Sequence, residues 1–484
     1  MSEASDRIGR FVFSVRPLAG AIASICALHA AHAEDAINQP NLPTVVVTAT
    51  RSAHAAFDVP ASIDAVSVDD ATANTLGVNP AEYLGSVPGL LARDRQNYAQ
   101  DEQISIRGFG ARSTFGVRGV RLYVDGIPAT FPDGQGQVSN FSLGSGDRIE
   151  VLRGPFSALY GNSSGGVIQI FTADGTDPPE WRGTLVGGGY GTYRLGANAR
   201  GADGGFDYNV DLSQFYTDGY RGHGRAQREN GNAKFDFHFD GDRKLTILAN
   251  TVALPNADDP LGLTRAQFET DPRQPQSSAV QFDTRKTVRQ EQLGAIYEQA
   301  LDPYQTVRAL VYYGERDVQQ FQSIPIATQL RPTSPGGVID LDGNYGGTDL
   351  RWTWRGTLAG RPMDASAGIT YDQQNQHRLG YNNFVGDRLG VQGDLRRDEQ
   401  DDERDLDEYV QATWDFSERW LLSLGARHSE VRFNADDSYI TATSPDDSGR
   451  ASYSATTPVA GLMFKAAPDW HLYASYGNGF ETPT

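Results

Sequence analysis

The sequence predicts a β fold: a transmembrane antiparallel β-barrel that follows a small α+β domain. Three observations predict it. From Trp181 onward, apolar and polar residues alternate strictly, the period-two signature of strands with two unlike faces. Short Gly, Asp and Pro turns alternate with long polar connections over the same stretch, as in a barrel with short turns on one side of a membrane and long loops on the other. The 484-residue chain is only 39% hydrophobic and its mean hydropathy is −0.46, which excludes a polytopic helical membrane protein with repeated apolar runs of about 20 residues. A barrel escapes that exclusion because only alternate residues face lipid. The formal charge of −19, from 61 acidic and 42 basic side chains, argues against a nucleic-acid partner, which needs a basic field to meet phosphates.

Residues 1–33 read as a secretory signal peptide. Arg7, Arg10 and Arg16 precede the apolar run 18–28, and Ala31-His32-Ala33 supplies a small-x-small cleavage pattern before Glu34. Cleavage near Ala33 removes Cys26, the one cysteine, so backbone pairing and packing must hold the mature chain without disulfides.

Residues 34–50 form an N-terminal extension containing Thr44, Val45, Val46, Val47, Thr48 and Ala49. From spacing alone this run is equally an edge strand of the next domain. Residues 51–173 mix β-branched apolar runs, such as 120–124, 149–152 and 167–171, with Gly- and Asp-rich turns. Pro80 to Leu84 is expected to be helical, capped by Asn79. The result is a compact unit of roughly 120 residues, an ordinary domain size.

Residues 181–484 carry the barrel pattern. Phe235, Phe237 and Phe239 share one face and Asp236, His238 and Asp240 the other; Val410, Ala412 and Trp414 likewise oppose Gln411 and Thr413. Short turns fall near 201–205, 240–242, 302–303, 360–362, 417–418 and 467–468, with long loops about 218–229, 254–285, 318–345, 376–404 and 434–452. The count is about 13 strands, whereas bacterial barrels close with an even number. An open edge in lipid leaves unpaired backbone groups at several kcal/mol each. The expectation is a barrel whose C-terminal part lies beyond Thr484.

Several stretches carry a family resemblance. Residues 42–49 (LPTVVVTA) look like a TonB box, residues 104–172 resemble the plug of TonB-dependent outer-membrane receptors, and LYASYGNGFETPT (472–484) is similar to a barrel-strand motif of that family. The resemblance covers the whole mature chain and implies a 22-stranded barrel, of which about eight or nine strands are absent here. It also implies an outer-membrane location, monomeric state, and TonB with ExbB and ExbD as periplasmic partners. The box would add as a strand to its partner's sheet edge. Within the family, RQNYAQD (95–101), GARSTFGVRG (110–119), YVDGIPATFPDGQGQ (123–137), QSIP (322–325), GYNNF (380–384) and LRRDE (395–399) are most similar to receptors for pyrroloquinoline quinone.

The resemblance further implies a plug–barrel lock in which Arg107 and Arg153 face Glu481, since a buried guanidinium needs a carboxylate. Three loops, 93–101, 109–118 and 128–140, are candidates to face outward. They carry Arg93, Arg95, Tyr98, Phe109, Arg112, Phe115, Arg118 and Asp133. Cations among aromatic rings suit a planar anion. Pyrroloquinoline quinone fits this description, and ferric siderophores fit almost as well. Singly, each of these residues is more ordinarily a solvated loop residue.

The competing functional classes are a passive porin-like channel and a secreted enzyme. A plug argues against the first, because an open pore has no use for a stopper. The second would need a catalytic constellation. Gly161-Asn162-Ser163-Ser164-Gly165 matches the hydrolase elbow G-x-S-x-G, but a strand rather than the required helix follows it. Gly187-Gly188-Gly189 reads as small residues on a barrel strand near the plug. The histidines lack metal-ligand spacing, so neither metal nor cofactor is expected.

Overall fold

The computed structural model describes residues 46–47, 54–68, 75–113 and 116–483. The expected leader, Thr44, Val45, Thr48, Ala49 and Phe115 lie outside the described residues. Of the box, the backbone of Val46 and Val47 forms β1 (Val46–Val47), paired antiparallel with β2 (His54–Ala55).

The first domain is built on a five-stranded sheet of β3 (Ser62–Ser67), β8 (Gly146–Arg153), β9 (Gly166–Thr172), β6 (Val120–Val124) and β7 (Ile127–Pro128), in that order. β4 (Leu90–Arg93) and β5 (Gln103–Ile106) make a separate ribbon. β6 and β9 run parallel, and both are buried on their two faces, which is why their sequences are mostly apolar without alternation, broken by Arg121 and Gln169. Leu84, Ile106, Leu122, Ile149 and Ile168 form the centre of its core.

The predicted helix is the single turn α1 (Ala81–Leu84), but Asn79 does not cap it. The first helical N–H, that of Ala81, is accepted by Glu102 at 3.1 Å, while the Glu82 carboxylate accepts the N–H groups of Gly77, Val78 and Asn79 in the turn that leads into the helix, at 2.8–2.9 Å.

The second domain is one antiparallel sheet of 13 strands in sequence order. They are β10 (Glu180–Gly187), β11 (Tyr193–Asp203), β12 (Phe206–Thr217), β13 (Ala226–Phe239), β14 (Arg243–Asp258), β15 (Arg285–Asp302), β16 (Gln305–Phe321), β17 (Val338–Leu358), β18 (Arg361–Tyr381), β21 (Leu395–Trp414), β22 (Trp420–Asp437), β23 (Gly449–Ala467) and β24 (Trp470–Gly477). The small hairpin β19 (Phe384–Val385) and β20 (Arg388–Leu389) lies in one long loop.

Alternation has the expected consequence. Leu212, Leu293, Val311, Leu350 and Val410 are exposed on the outer face, while Asp211, Gln290, Asp349 and Gln411 are buried on the inner one. Aromatic contacts gather near the short-turn end, where Phe206 meets Phe237 and Trp420 meets Phe464 at 5.1 and 4.8 Å between ring centroids. Such a belt suits a membrane interface.

Strands penetrate further into the long connections than alternation predicts: β17 and β18 have 21 residues each. At about 3.3 Å per residue they far exceed an apolar band about 25 Å tall. Beyond that band both faces are polar, as at Gln373, Gln374, Asn375 and Gln376 of β18, so the period-two signal fades while pairing continues.

Candidate functional site

The first domain sits against the inner, polar face of the sheet, held by hydrogen bonds and ion pairs and by apolar patches in which Ile127 and Phe131 join Leu310 and Tyr345, and Ala99 joins Val252. On one side Arg228 of β13 donates to Val78 O and Ser139 O at 3.0 and 2.8 Å. Asn209 donates to Ala173 O at 2.9 Å, and Asn232 to Ser145 Oγ at 2.9 Å. On the other side Arg121 of β6, 1% exposed, donates to Asp372 Oδ2 at 3.0 Å and lies 3.7 Å from Asp405. Tyr312 donates to the other oxygen of Asp372 at 2.7 Å. Next to this group Arg427 pairs with Asp407 and donates to Leu159 O. The neutral bonds exchange for water at a net cost of about 1 kcal/mol each, whereas the buried Arg121 and Arg427 pairs hold more strongly, because separation leaves a charge unpaired in the interior.

A third contact follows β24. Asn162 donates to Thr482 Oγ1 and accepts from Thr482 N, both at 2.9 Å, and Ser163 bridges to Phe480. Ser163 is fully buried, and its hydroxyl lies 3.1 and 3.0 Å from Gly119 O and Gly166 O. The G-x-S-x-G match is therefore a docking strip. The Gly187–Gly189 expectation needs correction: a Cβ at Gly187 or Gly189 would meet nothing within 4 Å, so these glycines do not pack on the plug.

The expected lock pairs differently. Glu481 meets Arg112 at 2.8 Å, with Arg112 79% exposed at its side chain. Arg153 bonds Asp64 and Pro88 O within its own domain. The register explains why: Ser62 opposes Arg153 across β3 and β8, which puts Asp64 on the same face one step along. Arg107 is exposed in the tight turn after β5, at φ +51°.

The outward-loop residues divide between two walls. Tyr98 rests on Phe215 of β12 with ring centroids 4.7 Å apart. Beside it Asn97 and Gln100 donate to Asp259 at 2.7 and 2.5 Å, which sets loop 93–101 at the long-loop end. Arg93 and Arg95 are exposed there. Arg112 goes to Glu481, and Phe109 is 49% exposed. Arg118 and Asp133 bond each other: the guanidinium donates to the carboxylate and the carbonyl of Asp133, both at 3.0 Å.

Sequence reasoning missed Arg121, Arg427, Asn162 and their partners. For Arg121 a signal existed: a lone cation inside the apolar run 120–124, fully buried on either face, requires a distant carboxylate.

Two family descriptions match this arrangement, "TonB-dependent Receptor Plug Domain" over residues 55–167 and "TonB dependent receptor-like, beta-barrel" over residues 208–484. The chain is 23% identical to the hemin receptor of Yersinia enterocolitica across 98% of this chain and 64% of that protein. It is 34% identical to the iron-regulated outer membrane virulence protein of Vibrio cholerae across 29% of this chain and 21% of that one. Among solved structures, unliganded ferric citrate transporter FecA superposes with a TM-score of 0.73 at 20% identity, covering 88% of this chain and 64% of FecA. The ferric yersiniabactin uptake receptor FyuA of Yersinia pestis gives 0.68 at 19% identity, covering 88% and 66%. A plug bound to the polar inner face of a 13-stranded antiparallel wall, and family matches spanning both parts, lead to one conclusion: this chain belongs to the TonB-dependent receptors of the outer membrane.

Proposed function

We propose that the protein is an active uptake receptor for a scarce anionic iron complex, of the heme or ferric-siderophore kind, driven from the periplasm by TonB with ExbB and ExbD. The observation that carries the transport reading is a plug seated on the polar inner face of the wall through side-chain hydrogen bonds and buried ion pairs. The relatives include a hemin receptor and an iron-regulated outer membrane protein, and they favour an iron complex over pyrroloquinoline quinone, which is the second reading on the loop motifs alone. A passive channel is disfavoured by the plug itself.

In this reading the signal peptide is cleaved near Ala33, residues 34–50 present the box, and the mature receptor works as a monomer. Arg93, Arg95 and Tyr98 are the leading ligand contacts, since their loop faces the long-loop side. Arg112, Arg118 and Asp133 would have to exchange protein partners for ligand; Phe109 and Phe115 would supply ring surface. The test is uptake of hemin, ferric citrate and pyrroloquinoline quinone by cells expressing the receptor from its gene, with and without TonB. Energy-dependent import of an iron complex is expected. Import of pyrroloquinoline quinone alone would favour the second reading, and import without TonB would favour the channel.

A further inference from the structure

One large cavity among the described residues is not on the outward side. A space of about 890 Å³ lies between the plug and the wall of β13–β18. Its lower rim includes Gly241 and Tyr304, both in short turns, so it opens at the short-turn end; its upper end reaches Tyr312 and Asp372. Arg121, which pairs with Asp372, therefore belongs to its roof. The volume falls in the range of pockets that enclose small organic ligands.

The charges lining it are unequally committed. Its deep carboxylates serve the fold: Asp125 accepts from Thr172 N and Thr172 Oγ1 at 2.8 and 2.6 Å, Asp372 takes Arg121 and Tyr312, and Asp349 takes Arg308 at 3.4 Å. Arg351 and Arg355 line the same space from one face of β17; Arg351 has a partner within the protein, whereas Arg355 forms no ion pair among the described residues. Tyr123, Tyr304 and Tyr312 add ring surface. Guanidinium groups with aromatic walls match an anionic, ring-bearing molecule.

We propose that this cavity is a second, inner binding site, a transit station that holds an anionic cargo beside Arg351 and Arg355 after it has passed the Arg121–Asp372 latch and before it leaves at the periplasmic end. The inference rests on the uptake reading above and adds to it the side of the barrel along which cargo travels.

Two measurements test it on the receptor expressed from its gene. Thr353 lines the cavity between the two arginines, so Thr353→Cys, in a receptor whose other cysteines are replaced by Ser, gives a reporter there. Labelling in outer-membrane vesicles should run about tenfold faster with a sulfonate-bearing methanethiosulfonate than with a trimethylammonium one, as a field focused in a cleft requires. Arg355→Gln should reduce that preference. Equal rates, or faster labelling by the cation, would overturn the anion site. Next, Thr353→Trp should leave hemin binding at the cell surface intact while abolishing its import. Leu350→Trp, on the lipid face of the same strand, should change neither. Normal import with Thr353→Trp would overturn transit through this space. If the wild-type receptor binds no hemin, the hemin reading falls, and the labelling result still decides the inner site.

Discussion

Arg121 and Asp372 stand 251 residues apart in sequence and 3.0 Å apart in space, and their bond joins the centre of the plug sheet to the barrel wall. Both side chains are almost fully buried, with Asp405 a further 3.7 Å contact. Removing one member of such a group leaves charge without compensation, a loss of about 3–5 kcal/mol. Arg121→Met should therefore unfold or unseat the plug while the sheet, whose pairing it does not touch, persists. Urea titration followed by plug fluorescence, alongside ion conductance in planar bilayers, reads both effects. Unchanged stability and a closed pore would show that the pair does not hold the plug.

The contacts of Arg153 and Arg112 predict contrasting outcomes. Arg153 braces the plug internally through Asp64 and Pro88, so Arg153→Ala should lower plug stability by about 1–3 kcal/mol without raising conductance. The Arg112–Glu481 pair is largely solvated, and Arg112→Ala should cost less than about 1 kcal/mol. Asn162→Ala, which removes two hydrogen bonds to Thr482, should loosen that docking strip more than Arg112→Ala does. Increased conductance with Arg153→Ala would restore the lock expected from the family motif.

These pairs mark the boundary of what the chain discloses before folding. Alternation at Phe235–Phe239 and short turns such as 303–304 are local, because lipid on one face and water on the other impose period two on every strand. That is why the wall and its 13 strands were legible. Partner choice is not local. Nothing near Arg153 in sequence announces Asp64, which arrives through the β3–β8 register, and nothing near Asp372 announces Arg121. The loop motifs illustrate the same limit. QSIP and GYNNF resemble motifs of receptors for one ligand, yet Asn383 of the second donates to Gln322 O of the first at 2.9 Å.

That contact belongs to a knot among three long loops. Asn383 is fully buried and donates a second bond to Phe282 O at 3.0 Å, while its Oδ1 has no partner among the described residues; its backbone N–H donates to Gln329 Oε1 at 2.7 Å. Asn383→Ala strands two loop carbonyls in the interior, each about 1–3 kcal/mol. Loops 259–284, 322–337 and 382–394 should then exchange amide hydrogens faster and be clipped sooner by protease, with strand protection unaltered. If protection of residues 279–284 and 322–330 stays at the wild-type level, Asn383 does not tie the loops.

Glu102 links stability of the plug to pH. One carboxylate oxygen accepts Ala81 N at 3.1 Å, while Oε2 is buried with no partner among the described residues. Burial pushes this carboxyl up to about 8, against an ordinary value of about 4.3. Between those values the folded plug keeps a proton that the unfolded chain has released. Stability contributed by the neutral acid is therefore complete below about pH 4.3 and is lost as pH rises through about 8. Glu102→Gln retains the acceptor for Ala81 and carries no charge at any pH. The wild-type plug should lose stability steadily between pH 5 and 8 on the order of a few kcal/mol, whereas the variant should show a flatter profile and exceed the wild type at the alkaline end. Parallel urea titrations of both receptors across that range decide it: two profiles of equal slope would mean that Glu102 is ionised in the folded plug.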